Sequence, residues 1–403
     1  MADLIKNPFR PGAGQMPPYL AGREAEEKEF RKLLVQDIIL ENLILTGLRG
    51  VGKTVLLEAF KPIAIQENWL WVGTDLSETT SISENNLAIR IITDLSVVTS
   101  NLNLKLGEHL ATGFTSQSEP VIQPMSYSYL MSMFEASPGL VADKLKTVLE
   151  FVWGIVAQTG RRGIIFAYDE AQNLSDHKQK DQFPLSILLD VFQSLQRKNM
   201  SFMLALVGLP TLFPKLVESR TYAERMFRVL SLSKLTLPQS KEAIRRPVSD
   251  KKSALIFSEN SIDIIAEMSG GYPYFIQFIC REVFDLWIQK IIQNEESLSV
   301  PKTEIIHKLD TDFFSGRWAR ATDRQRVLLK IIANLENCDG EFSVQDIVNE
   351  SLKSKDKFSS SHINQMLLAL SNNGLVYKNR HGKYSFAVPL MAGFIKRQLI
   401  EIL

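Results

Sequence analysis

The chain has 403 residues, 45% hydrophobic and 23% charged, which is enough for two or three globular domains and excludes a disordered or fibrous class. Lys and Arg number 46 against 45 Asp and Glu, so the net charge of +1 supplies no global field toward nucleic acid or membrane, although a local basic face stays open. Cys280 and Cys338 form neither a disulfide framework nor a metal spacing and read as buried thiols; with no signal-length apolar core and no run of about eighteen uncharged apolar residues, the expectation is a cytoplasmic protein without membrane contact.

From Asn7 to Tyr19 the sequence NPFRPGAGQMPPY predicts an extended arm, and Ala25, Phe30, Leu33 and Leu34 then space an amphipathic helix that reaches Val35. The chain is organised around Asn42 to Leu57, NLILTGLRGVGKTVLL. Leu43-Ile44-Leu45 is a short apolar strand, a glycine-rich turn follows, and Val55, Leu56, Leu57 and Phe60 have the spacing of a helix packed on one face. Gly47, Gly52, Lys53 and Thr54 fit the phosphate-binding pattern G-x-x-x-x-G-K-[ST]. Glycines let backbone N–H groups turn in around an anion, and the helix N-terminus adds its dipole. The candidate cradle is Gly47, Arg49, Gly50, Val51, Gly52, Lys53, Thr54 and Val55; Lys53 would reach the outer phosphates and the Thr54 hydroxyl would hold Mg²⁺. A chance glycine turn is the bland alternative, and the strand and helix on either side argue against it. Pro62 is expected to stop the helix.

Trp69-Leu70-Trp71-Val72 reads as a second strand with core tryptophans, and Leu87 to Leu95 as a helix. Asn101 to Gln123, with Gly107, Gly113 and Pro120, is expected to loop out, whereas Met125 to Met133 alternates and fits a strand or a disordered, partner-binding stretch equally. An apolar stripe gives a helix from Asp143 to Ala157. The continuous apolar run from Gly163 ends in Asp169 and Glu170, the signature of a strand buried on both faces of a parallel sheet. Set at the end of the strand beside the phosphate loop, Asp169 would anchor Mg²⁺ through water and Glu170 would polarise the attacking water. A helix from Pro184 to Lys198 and a buried strand from Phe202 to Val207 complete an alternation that predicts an α/β, three-layer sheet domain. After Leu237 come helices at Ser240 to Val248, Ser261 to Met268 and Tyr274 to Ile292. Three more, at Thr322 to Leu335, Ser343 to Glu350 and Ser360 to Asn372, are closed by a hairpin about Asn379-Arg380-His381-Gly382, a winged-helix pattern. The expected domains are 1–237, 238–320 and 321–403.

GLRGVGKT, with YLAGRE before it, DEAQNL after it and the segment Gly270-Gly271-Tyr272-Pro273-Tyr274, resembles the AAA+ ATPases of the origin-recognition-like group, which merges into the STAND signalling ATPases. The DEAQ form also resembles bacterial transposition-regulator and secretion-associated ATPases. The resemblance covers essentially the whole chain and implies a P-loop NTPase sheet domain, a helical lid and a winged helix. It implies ATP and ADP as ligands, Mg²⁺ as the metal and assembly into a homo-oligomer on ATP binding. Tyr19, Leu20 and Arg23 would lie near the adenine, with Tyr272 and Pro273 closing over it. An arginine from a neighbouring subunit would reach the γ-phosphate, and Arg225 and Arg228 are the choices over Arg220; a solvated helix face carrying surface pairs is the other reading of that segment. Two departures point to slow hydrolysis and a switch: the strand at Val207 ends without a polar sensor other than Thr211, and no arginine falls between Gly270 and Cys280.

The third C-terminal helix presents His362 and Asn364, and the wing carries Lys378, Arg380, His381 and Lys383, groups suited to DNA contact. Residues 321–403 hold eleven Lys/Arg and eight Asp/Glu, an excess of three, so a protein partner is equally in view. The output is then a nucleotide switch, with a DNA-binding initiator or transposition-type regulator and a STAND-type signalling or defence protein as alternatives.

Overall fold

The computed structural model describes residues 6–100, 102–106, 121–249, 255–295, 298–380 and 382–398. They form two compact units. One contains Glu24–Thr46 and Leu56–Ser231; the other contains the chain up to Arg23, Gly47–Val55 and everything from Leu232 onward.

The first unit runs through α1 (Glu24–Leu34), β1 (Asn42–Gly47), α2 (Lys53–Gln66), β2 (Trp69–Val72), α3 (Glu84–Thr99), β3 (Asn103–Leu106), β4 (Val121–Pro124), α4 (Tyr127–Ala136), α5 (Val141–Val156), β5 (Gly163–Tyr168), α6 (Pro184–Arg197), β6 (Phe202–Gly208), α7 (Leu212–Ser219), α8 (Ala223–Met226) and β7 (Phe227–Leu232). Its sheet has the order β2-β5-β6-β1-β7. β2 with β5, β5 with β6 and β6 with β1 are parallel, the last in the register Leu43↔Ala205 to Thr46↔Gly208. Every residue of β1, β5 and β6 is buried, as continuous Ile, Leu, Val and Phe runs require when both faces are covered.

Asn42 opens β1 with a buried amide that ties four segments. Its Oδ1 accepts from Gln196 Nε2 at 2.9 Å and from the Leu204 N–H at 2.8 Å, and its Nδ2 donates to the Met226 carbonyl at 3.1 Å.

Several expectations are corrected here. The strand of Asp169 does not lie beside the strand of the phosphate loop, because β6 stands between β5 and β1. Periodicity identifies a buried strand, but a crossover helix lets the chain skip a place in the sheet. α2 does not stop at Pro62 and continues to Gln66. The apolar stripe of Leu56, Leu57 and Phe60 resumes at Ile63 and Ala64, and Phe60 stacks on Phe30 at 4.2 Å, so burial offsets the single hydrogen bond that proline forgoes. Flanks of the expected loop at 101–123 pair as the antiparallel β3 and β4, from Asn103↔Pro124 to Leu106↔Val121; residue 101 and residues 107–120 lie outside the described residues. Met125 to Met133 enters α4, capped by Ser126 and anchored by buried Leu130 and Phe134. The segment from Glu218 to Arg228 is not one helix face but the end of α7, then α8, then the start of β7. β7 escaped the sequence reading because only its first and last residues are buried, as befits an edge strand.

The second unit contains α9 (Leu237–Arg245), α10 (Glu259–Ser269), α11 (Pro273–Ile292) and α12 (Lys302–Leu309), which passes through a π-turn at Asp310–Ser315 into α13 (Gly316–Trp318). Next come α14 (Asp323–Ala333), β8 (Phe342–Ser343), α15 (Val344–Ser351), α16 (Ser360–Asn372), β9 (Val376–Arg380), β10 (Lys383–Phe386) and α17 (Met391–Arg397). Capping boxes at Thr236, Thr322 and Ser343 start α9, α14 and α15. β8, β10 and β9 form a three-stranded antiparallel sheet, so the expected hairpin gains a third strand. Both cysteines are buried and free, as their amphipathic surroundings foretold.

Candidate functional site

β1 ends at Gly47 and α2 begins at Lys53, with the glycine-rich loop between them. Gly50 and Gly52 have φ of +79° and +92°, backbone that other residues rarely adopt. A Cβ on Gly47 would lie 2.6 Å from the Leu232 carbonyl oxygen, so close packing demands that glycine instead.

The loop's carbonyls are engaged by donors of its own unit. Lys53 Nζ donates to the carbonyls of Gly47 at 3.0 Å and Leu48 at 2.9 Å. The Tyr274 N–H, in the first turn of α11, donates to Gly50 at 3.2 Å. Buried Arg23 gives Nη2 to the carbonyls of Val51 at 2.8 Å and Ser233 at 3.0 Å. Among the described residues, the N–H groups of Leu48 to Gly52 donate no hydrogen bond of normal geometry. A loop with four carbonyls tied back and with N–H groups that lack acceptors among the described residues, set before a 14-residue helix, fits the phosphates of a nucleotide. A Cβ on Gly52 would meet nothing within 4 Å, so there is room for a ligand beside it.

Several residues expected around the nucleotide fall in the same unit as this loop. Arg23 proves to be a brace for the loop backbone. Tyr19 lies under the Arg246 guanidinium, 4.4 Å from the ring centroid, and Leu20 is half-buried. Tyr272 packs edge-on against Phe275 at 6.4 Å; burial, and then Asp339, push its hydroxyl above the usual tyrosine range. Pro273 opens α11 at its first position, where its missing N–H costs nothing. Thr54 sits in the first turn of α2, and a Cβ on Gly14 of the arm would stand 3.1 Å from its methyl group.

The acids sit at the end of β5 in the sheet unit. Asp169 is buried, its N–H donates to Thr74 and its carbonyl accepts from the Leu76 N–H at 2.9 Å. Its Oδ1 accepts from the Glu170 N–H at 2.7 Å. Glu170 is exposed and holds the left-handed conformation, φ +50°, a strained state for a residue with a Cβ. Gln172 donates Nε2 to the Glu170 carboxylate and accepts at Oε1 from the Leu209 N–H at 3.1 Å, while its carbonyl accepts from Lys215 Nζ at 2.6 Å. The sequence reading missed Gln172. Its signal was Gly208: a Cβ there would lie 2.5 Å from Gln172 Oε1, so the end of β6 carries no side chain because the Gln172 amide occupies that space. Thr211 is the residue before α7, and its hydroxyl caps nothing.

The three arginines separate. Arg220 is forked onto Asp190 at 2.8 and 2.6 Å, and Tyr222 donates to the same carboxylate at 2.7 Å. Arg228 pairs with Glu41 at 2.9 Å and Glu29 at 3.3 Å. Arg225 is exposed, has no ion pair among the described residues, and lines a cavity of about 330 Å³ with Ile38, Leu40, Arg197, Tyr222 and Met226.

In the C-terminal part, His362 and Asn364 are exposed on α16, Lys378 is exposed on β9 and Lys383 is half-buried on β10. His362 Nδ1 lies 3.5 Å from the Arg324 guanidinium. His381 and the Arg380 side chain lie outside the described residues.

The five-stranded parallel-cored sheet, with a glycine-rich loop after β1 and an acid pair after β5, belongs to a fold that the chain shares with solved structures. The chain is similar to the Walker-type ATPase PABY2304 of Pyrococcus abyssi, at 16% identity and TM-score 0.57, over 94% of this chain and 96% of that one. It is also similar to the ORC2 protein of Aeropyrum pernix, at 13% identity and TM-score 0.54 for the ADP form, over 96% and 97%. The ADPNP-ADP complexes of that protein match at 12% and 0.52, over 97% and 98%. At these identities the likeness is one of fold. Residues 311–395 match a family described as a domain of unknown function, DUF8462. No curated protein matches the sequence. Among the described residues, no helix is long and apolar enough to cross a membrane.

Proposed function

We propose that this chain is an ATP-binding, Mg²⁺-dependent ATPase acting as a nucleotide-dependent switch, with slow hydrolysis coupled to assembly or partner engagement. The observation that carries this reading is the loop from Gly47 to Lys53, in which the carbonyls of Gly47, Leu48, Gly50 and Val51 are tied back while, among the described residues, the N–H groups from Leu48 to Gly52 have no acceptor. Those N–H groups and Lys53 would hold the phosphates. Tyr19, Leu20, Tyr272 and Pro273 would border the base. Thr54 and Asp169 would hold Mg²⁺, which when bound draws charge off the phosphates. Glu170 would take a proton from water as the water oxygen bonds to the terminal phosphorus and the bond to the bridging oxygen breaks, leaving ADP and phosphate.

The experiment is nucleotide binding and turnover of the full chain. Lys53→Ala should lose ATP affinity, and Glu170→Gln should bind ATP but not hydrolyse it. Unchanged affinity in the first variant removes the loop from the site; normal turnover in the second removes Glu170 as the base.

For the region 321–403 we propose a winged helix that engages a partner, following the lid at 238–320. Exposed His362, Asn364 and Lys378 support contact with duplex DNA. DNA-stimulated turnover, with binding that weakens steeply in salt, is the expected result. If neither occurs and a protein binds instead, the signalling alternative gains.

A further inference from the structure

We propose that Lys215, on α7, is a positioning residue for hydrolysis: through the Gln172 carbonyl it holds the turn that presents Glu170 to the attacking water. This rests on the reading that Glu170 is the base. The turn after β5 is short. Residues Ala171–Asn173 make a single 3-10 turn, closed by the Asn173 N–H on the Glu170 carbonyl at 2.9 Å and by the Leu174 N–H on Ala171 at 3.2 Å. Hydrogen bonds in such a turn have poorer geometry than those of an α-helix, so bonds from outside matter more to its shape. Gln172 receives three of them. Its amide holds the Glu170 carboxylate and the Leu209 N–H, and its carbonyl accepts from Lys215 Nζ at 2.6 Å, across 43 residues of chain. The amide meets Glu170 only while the backbone of Gln172 stays in place. Lys215 fixes that backbone from α7, which buried Leu212 and Leu216 anchor in the core of the sheet unit.

Burial works against a lysine at this position. Lys215 is half-buried, and burial pushes its ammonium below the usual lysine range, with the charge of Asp176 opposing. Among the described residues Lys215 forms no ion pair, and the Gln172 carbonyl is its one hydrogen-bond partner. Asp176 is engaged by Ser186, whose N–H and hydroxyl donate to its carboxylate at 3.0 and 2.5 Å. A cation drawn from water without a paired carboxylate costs free energy, and an apolar side chain would serve packing alone without that cost. What the ammonium adds is a charge-assisted hydrogen bond, roughly twice as strong as a neutral one, to a carbonyl two residues from Glu170.

The test is single-turnover hydrolysis and equilibrium ATP binding by the full chain. Lys215→Met, which keeps most of the stem, should lower the hydrolysis rate about 10- to 100-fold and leave ATP affinity within about 2-fold, as expected when one positioned group is released. Lys215→Arg still donates to the carbonyl and should recover most of the rate. In a Gln172→Ala background, Lys215→Met should slow hydrolysis by less than about 2-fold more, because the amide it positions is already gone; a loss of packing alone would act equally in both backgrounds. Three results would each overturn the proposal: parental turnover in Lys215→Met, a Lys215→Arg variant as slow as Lys215→Met, or an equal loss with and without Gln172. Glu170→Gln separates this inference from the reading beneath it. If that variant hydrolyses ATP normally, the base assignment falls and the proposal with it. If it is inactive while Lys215→Met is unimpaired, the base stands and Lys215 alone is misassigned.

Discussion

Gln172 donates its side-chain amide to the Glu170 carboxylate, two residues back along the turn that follows β5. The same amide accepts from Leu209 at the end of β6, so it joins the proposed base to the neighbouring strand. Glu170 already has the left-handed backbone and an exposed side chain, and without this contact little would fix its carboxylate. Gln172→Ala should therefore leave ATP affinity within about 2-fold but lower kcat about 10- to 100-fold, the range for losing one positioned group. Gly208→Ala should act similarly, since its Cβ would displace the amide. Because both changes remove one contact, the double variant should lose no more than the worse single one. An additive loss measured by single-turnover kinetics would show that Gln172 does not act through the end of β6.

Arg225 and Arg228 should behave differently although both were candidates for action on a neighbouring subunit. Arg228 is held by Glu41 and Glu29, partly exposed ion pairs that contribute about 0–1 kcal/mol. Arg225 has no such pair among the described residues. In mixtures with Lys53→Ala protein, Arg225→Ala should lower turnover about 10³-fold if it stabilises the transition-state charge, and Arg228→Ala should lower it by less than about 3-fold. The assay is turnover against protein concentration. A dominant loss from Arg228→Ala would mean that its acidic partners release it on assembly.

The loop, both central strands and the acid pair were legible because each follows from a local rule: glycine positions before a helix, or an unbroken apolar run. What the sequence hid depends on neighbours far along the chain. That β6 separates β5 from β1 is invisible to periodicity, which carries no pairing information. Gln172 looked like part of a polar turn, and only the 2.5 Å approach of its amide to the place of a Gly208 Cβ gives it a role. Arg23 also braces Val51, a contact across 28 residues that no local pattern shows. Pro62 misled because a helix rule was applied without the burial of Phe60 and Ile63.

Arg23 should govern the shape of the loop. Its buried guanidinium serves the carbonyls of Val51 and Ser233, and removing it takes this donor from the buried Val51 carbonyl. Arg23→Ala should cost about 2–4 kcal/mol of stability and lower ATP affinity roughly 10-fold or more. Arg23→Lys keeps the charge but replaces a planar fork with a point donor, so part of both losses should remain. Thermal unfolding with and without ATP separates the two effects. A variant as stable as the parent that binds ATP equally well would show that the loop holds its shape without this brace.

Asp190 should make the sheet unit sensitive to acid. Burial works to raise its carboxyl, but the hydrogen bonds from Arg220 and Tyr222 outweigh that and hold it below the ordinary value of 3.8. A carboxyl that is a stronger acid folded than unfolded contributes stability above its ordinary pKa and loses that contribution as the pH falls through the lower folded value. The pair is more than a third exposed, so screening keeps the effect small. Asp190→Asn should cost about 0.5–1 kcal/mol near neutral pH, with the difference from the parent shrinking below roughly pH 4. Urea unfolding of both proteins across that interval measures it. A constant difference from pH 7 down to pH 3 would mean that packing around Tyr222, rather than the charge on Asp190, carries the stability.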